Sequence, residues 1–334
     1  MRVSLFLLAA LCALAALLAT GCGKREGAEG PGDGTELSVM LDWVPNPDHA
    51  SIYTAQANGH FKDLGLNVRI RTPTNPSAPI KQVAAGRVDL AISYAPEVLR
   101  QREQGLPVVA VAALVQKPLT SLVSLPAAGV RRPADLAGKS VGTAGIDYQA
   151  AYLDEILRQA GVDESSVERK NVGFNLSQAL LTKKVDAVLG AFYNVEGSDL
   201  RQRGRNPVII PVDRAGIPRY DELVLVANED RLEDDGDLIR GFVGALARAT
   251  ADLRADEQGE TQDLLDASPE LDPRLTRASV HETVPTFAPP RGKPFGYLDP
   301  QEWGRFSRFM VESGLLDGEP SGAYTNEWLP GEGL

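Results

Sequence analysis

The sequence predicts an α/β protein of two lobes, each a mostly parallel sheet flanked by helices. Three observations carry this. Short apolar runs alternate with helical stretches, which favours parallel strands covered on both faces. The alternation breaks near residue 124 and then restarts. About 300 residues remain after an N-terminal leader, more than one ordinary core takes.

The elements follow in order. Glu36 to Leu41 is an apolar strand, and Asp42 to His49 is a polar loop at its carboxyl end. Ala50 to Gly59 reads as a helix with a glycine stop. Leu66 to Ile70 alternates as a half-buried strand does. A helix over Pro79–Ala85 leads to a buried strand over Asp89–Tyr94. A helix over Pro96–Gln104 precedes the apolar run Pro107–Ala113. Leu119–Ser124 reads as a crossing segment. Ser140–Thr143, a helix over Asp147–Ala160, a helix over Ser177–Lys183 and a strand over Asp186–Phe192 rebuild the pattern. Glu222–Asn228 reads as the returning strand, and Asp234 onward is mainly helical. The expected boundaries are residues 36–122 and 223–334 for lobe I and 123–222 for lobe II. Two crossing segments between lobes permit hinge closure.

Residues 1–22 read as an export signal. Met1-Arg2 is basic, Val3 to Ala19 is apolar, and Thr20-Gly21-Cys22 closes the run as a lipobox. Cys22 is the expected acylation site. The Gly-rich, charged stretch over residues 23–35 reads as a tether. The only other cysteine is Cys12, inside the signal. The folded part therefore has no disulfide or thiol chemistry. A formal net charge of −11 argues against nucleic-acid partners.

In α/β sheets, ligands bind outside the carboxyl ends of strands. Asp42, Trp43 and Asn46 hold that position after the first strand. The Trp43 indole suits stacking on a planar ring. Ser93 and Tyr94 end the Asp89 strand at the same edge. Phe192-Tyr193-Asn194-Val195-Glu196 ends the late strand of lobe II, with Tyr193, Asn194 and Glu196 as candidates. Tyr193 is expected to stack opposite Trp43, and Glu196 to accept N–H donors. Gly142-Thr143-Ala144-Gly145 reads as a cleft-facing loop, with Gly145 the candidate there. No Lys-Ser/Thr pair follows Gly145, so it is not a phosphate loop. No metal triad and no nucleophile–base pair stands out, so neither cofactor nor metal is expected.

Leu41-Asp42-Trp43-Val44-Pro45-Asn46-Pro47-Asp48-His49, Val83-Ala84-Ala85-Gly86-Arg87-Val88-Asp89 and Gly190 to Gly197 together resemble one superfamily. It holds bacterial transporter receptors for thiamine pyrimidine precursors and yeast-type pyrimidine synthases. Asp135 to Gly142 is similar to the second-lobe entry of type II solute-binding proteins. The resemblance covers most of residues 36–232 and implies a type II periplasmic-binding-protein fold. It implies an extracytoplasmic, lipid-anchored monomer that delivers a flat heterocycle to an ABC permease and ATPase. Three readings stand: a receptor for a hydroxymethyl- or formylaminomethyl-pyrimidine, a receptor for riboflavin or another flat ring, and a pyrimidine-forming enzyme. By the resemblance, Glu97 occupies the place of the synthases' donor histidine. The stretch Arg219–Val226, where their cysteine motif falls, has no cysteine.

Overall fold

The computed structural model describes residues 34–331. Cys12, Cys22, the signal and most of the tether lie outside the described residues. Among the described residues, ten strands form two five-stranded mixed sheets. The first takes β1 (Thr35–Met40), β2 (Leu66–Arg71), β3 (Leu90–Ser93), β4 (Val108–Val115) and β10 (Leu223–Asn228), in the order β2-β1-β3-β10-β4. The second takes β5 (Thr120–Ser124), β6 (Ser140–Thr143), β7 (Glu168–Asn171), β8 (Ala187–Phe192) and β9 (Val208–Pro211), in the order β7-β6-β8-β5-β9.

Each sheet has one antiparallel strand. β10 runs antiparallel to β3 and β4, and β5 runs antiparallel to β8 and β9. These are the two strands that cross from the other lobe, so they enter against the local direction. β3, β4 and β10 are buried along their whole length. Their unbroken apolar runs reflect cover on both faces.

β5 pairs only within the second sheet. The first crossing therefore falls between Val115 and Thr120, ahead of the 122/123 boundary expected from sequence. The second falls between β9 and β10. The buried Glu222 carboxylate joins both crossings. It accepts from the Leu119 and Thr120 amides, each at 2.7 Å, from Thr120 Oγ1 at 2.9 Å and from the Tyr220 hydroxyl at 3.1 Å. Four donors on one buried carboxylate fix the geometry of the hinge.

The C-terminal helices cover the first lobe. The long helix Leu232–Ala255 buries Phe242, whose ring stacks on Phe61 at 5.0 Å. The helix Pro300–Glu312 buries Trp303, which donates to Asp221 at 2.7 Å. Among the described residues no helix is long and apolar enough to cross a membrane.

Candidate functional site

β1 delivers the chain to the cleft between the lobes. Asp42 follows it and is 2% exposed. The Asn46 side chain caps the short turn Pro47–His49 by accepting from the Asp48 amide at 2.9 Å. The Asn46 amide in turn donates to His49 Nδ1 at 3.2 Å. With Nδ1 accepting, Nε2 carries the proton and donates to Asp42 Oδ1 at 2.8 Å. Asp42 Oδ2 accepts from the Tyr94 hydroxyl at 2.8 Å. Burial, followed by the charge of Asp42, raises the Tyr94 hydroxyl well above the ordinary tyrosine range, so it keeps its proton. Asp42 thus holds two walls of the cleft in place.

The second lobe supplies the facing wall. The helix Asp147–Ala160 begins at the cleft with Tyr148 and Gln149. Gln149 Oε1 accepts from the Ala144 amide at 2.8 Å. Its amide group lies over Gly190, where a Cβ would collide with it. Gly190 has φ +106, which favours glycine. It is also the extra residue of a bulge, because Ser121 pairs with Ala191 and Leu122 with Leu189. The bulge shifts the alternation, so Val188 and Ala191 share a face and Phe192 points to the cleft.

The resulting pocket holds about 330 Å³ of empty space, counting its mouth. Trp43, Tyr94, Tyr148 and Phe192 supply aromatic surface, and Asp42, Asn46, Gln149 and Glu196 supply polar groups. The Tyr94 ring lies 5.5 Å from Tyr148 and 6.4 Å from Phe192, and Trp43 meets Phe174 edge-on at 4.6 Å. Glu196 Oε2 accepts from the Phe192 amide at 2.7 Å, and the carboxylate also accepts from its own residue's amide. Burial pushes the Glu196 carboxyl up to about 7. The Phe192 amide opposes that rise, and the Asp199 and Asp42 charges add to it. No lysine or arginine lines this pocket.

Five expected residues therefore meet here: Asp42, Trp43, Asn46, Tyr94 and Glu196. Four do not line it. Ser93 is buried in β3, paired with Val224, and borders a minor cavity beside Glu97. Gly145 turns the chain at φ +80 against Asn171, and the helix after it supplies the lining instead. Tyr193 points away because of the bulge, with Lys117 Nζ 5.7 Å from its ring centre. Asn194 is spent on contacts to Asp48 and Thr283. Tyr148, Gln149, Gly190 and Val195 escape the sequence reading. Tyr148 and Gln149 carried one usable signal, since they open the helix that follows a candidate loop.

The family profile described as NMT1/THI5 like matches residues 46–259. A Haemophilus influenzae protein named for thiamine biosynthesis is 38% identical over 84% of this chain and 88% of its own. The formylaminopyrimidine-binding protein of Halalkalibacterium halodurans is 36% identical over 80% of this chain and 82% of its own. A 4-amino-5-hydroxymethyl-2-methylpyrimidine phosphate synthase of Saccharomyces cerevisiae is 26% identical over 88% of each chain. Among solved structures, the alkanesulfonate-binding protein of Xanthomonas axonopodis has a TM-score of 0.69 at 16% identity, covering 88% of this chain and 99% of its own. That likeness shows the two-lobed periplasmic-binding-protein fold. The chain belongs to the NMT1/THI5-like family.

Proposed function

We propose that this protein is the substrate-binding component of an ABC importer and takes an unphosphorylated thiamine pyrimidine precursor into the inter-lobe cleft. The carrying observation is the pocket itself, with four aromatic side chains, the Glu196 carboxylate and no cation. A flat ring gains from the aromatic faces, and an exocyclic amine gains from Glu196. A phosphate or sulfonate finds no charge partner there. The formylaminopyrimidine-binding relative supports the same ligand class.

Binding rather than synthesis has support from the reactive groups. His49 is held between Asp42 and Asn46, His60 bonds Asp252, and His281 bonds Glu257. None of the three lines the pocket.

The protein works outside the cytoplasm, tethered through acylated Cys22, and acts as a monomer that presents its closed lobes to a permease. Cys22→Ser is expected to release it from membranes; retention of the processed variant contradicts the anchor. The ligand test is direct. Protein purified from cells is denatured and the released small molecule identified by mass. An aminopyrimidine is expected, whereas a flavin or a sulfonate rejects the ligand assignment.

A further inference from the structure

Asn194 sits at the turn after β8 in the second lobe and is fully buried. Its Nδ2 donates to Asp48 Oδ1 and to Thr283 Oγ1, both at 2.7 Å. Asp48 lies in the turn after β1 in the first lobe, and Thr283 ends the helix Pro273–Thr283 from the C-terminal part. The Thr283 hydroxyl donates onward to the Ser279 carbonyl at 2.8 Å. Its lone pair is therefore free to accept from Asn194, and both Asn194 protons are matched. Nearer solvent, Arg201 bonds Glu282 at 2.6 Å and the Tyr193 carbonyl at 3.2 Å.

Three segments distant in sequence thus meet at one buried amide, beside the pocket but outside its lining. We propose that Asn194, Asp48 and Thr283 form an inter-lobe latch that stabilises the closed form and slows ligand release. Every partner is a protein group, so the latch acts whether or not a ligand is present. A buried donor that loses its acceptor is costly, whereas the same groups in an open cleft are hydrated. Opening therefore breaks two bonds at once, and the exposed Arg201–Glu282 pair adds little. The latch acts through closure and not by touching the ligand.

The test is small-angle scattering on the ligand-free protein, together with stopped-flow dissociation of 4-amino-5-hydroxymethyl-2-methylpyrimidine. Asn194→Ala and the near-isosteric Thr283→Val are expected to enlarge the radius of gyration. Asp48→Asn keeps an acceptor and is expected to stay compact. Losing two buried bonds is expected to speed dissociation by roughly tenfold, with the association rate little changed. A ligand-free radius identical in wild type, Asn194→Ala and Thr283→Val overturns the latch. Only the dissociation arm rests on the proposed ligand. If the pyrimidine binds no variant, wild type included, the ligand assignment fails while scattering still decides the latch.

Discussion

Replacing Glu196 by Gln is expected to damage binding nearly as much as replacing it by Ala. One carboxylate oxygen already accepts from the Phe192 amide at 2.7 Å, and the other is the acceptor proposed for the ligand. Gln has a single acceptor oxygen, and the Phe192 N–H claims it. The Gln NH₂ then faces the cleft, donor against the ligand's donor. The lost charge-assisted bond is worth about 1.5–3 kcal/mol, or roughly 10- to 150-fold in Kd. Calorimetry with 4-amino-5-hydroxymethyl-2-methylpyrimidine reads the loss. An analogue without the 4-amino group is expected to lose little between wild type and variant, which isolates the pairwise contact. The carboxyl, pushed up to about 7 by burial, must be ionised for both oxygens to accept. Affinity is therefore expected to fall about tenfold from pH 8 to pH 6, where roughly a tenth of it is ionised. Glu196→Gln is expected to flatten that dependence. Wild-type affinity in Glu196→Gln refutes the assigned contact.

Three other perturbations probe the frame around the site. Gly190→Ala forces a side chain at φ +106 into the Gln149 amide; calorimetry is expected to show weaker binding, and unchanged affinity contradicts the role given to the bulge. Glu222→Ala strips the acceptor from two amides and two hydroxyls at the hinge; a loss on the order of 3 kcal/mol or more is expected in denaturant unfolding, and a loss under about 1 kcal/mol argues against a clamp. Glu97 is buried with one oxygen unpartnered, and burial, then the Asp147 charge, raises its carboxyl from 4.5 to about 7. The folded state therefore holds a proton that the unfolded chain releases between those values. Its contribution is full below 4.5 and is lost as pH rises through 7, by about 3 kcal/mol at most. Glu97→Gln is expected to reduce the fall in stability between pH 5 and pH 8, and an unaltered slope rejects this.

The strands that build the interior were legible because cover on both faces demands unbroken apolar runs, as in Val108 to Val115 and Leu223 to Asn228. The two edge strands of the second sheet were not. β7 reads Glu-Arg-Lys-Asn, held by backbone pairing to β6 with no apolar face to betray it. β9 is four residues of intermediate exposure ending in proline. The site divides in the same way. Asp42, Trp43, Asn46, Tyr94 and Glu196 follow strand ends, a position set by local pattern. Tyr148 and Gln149 carried only their place at the start of the helix after the Gly142–Gly145 loop, and the packing of Gln149 on Gly190 is a tertiary contact that no local pattern encodes. Tyr193 and Phe192 are exchanged because the Gly190 bulge adds one residue, and a period-two reading has no place for it. Asn194 reads as a ligand residue by its place after a strand, but its partners come from two other segments, residues far away in sequence.

The charge of the ligand tests the central claim most directly. Titration of the protein with 4-amino-5-hydroxymethyl-2-methylpyrimidine and then with its phosphate ester sets one ring against the same ring with an added anion. The pocket offers aromatic faces and carboxylates without a lysine or arginine, so the unphosphorylated pyrimidine is expected to bind and the phosphate ester to bind at least tenfold more weakly. Equal or tighter binding of the phosphate ester would contradict the account.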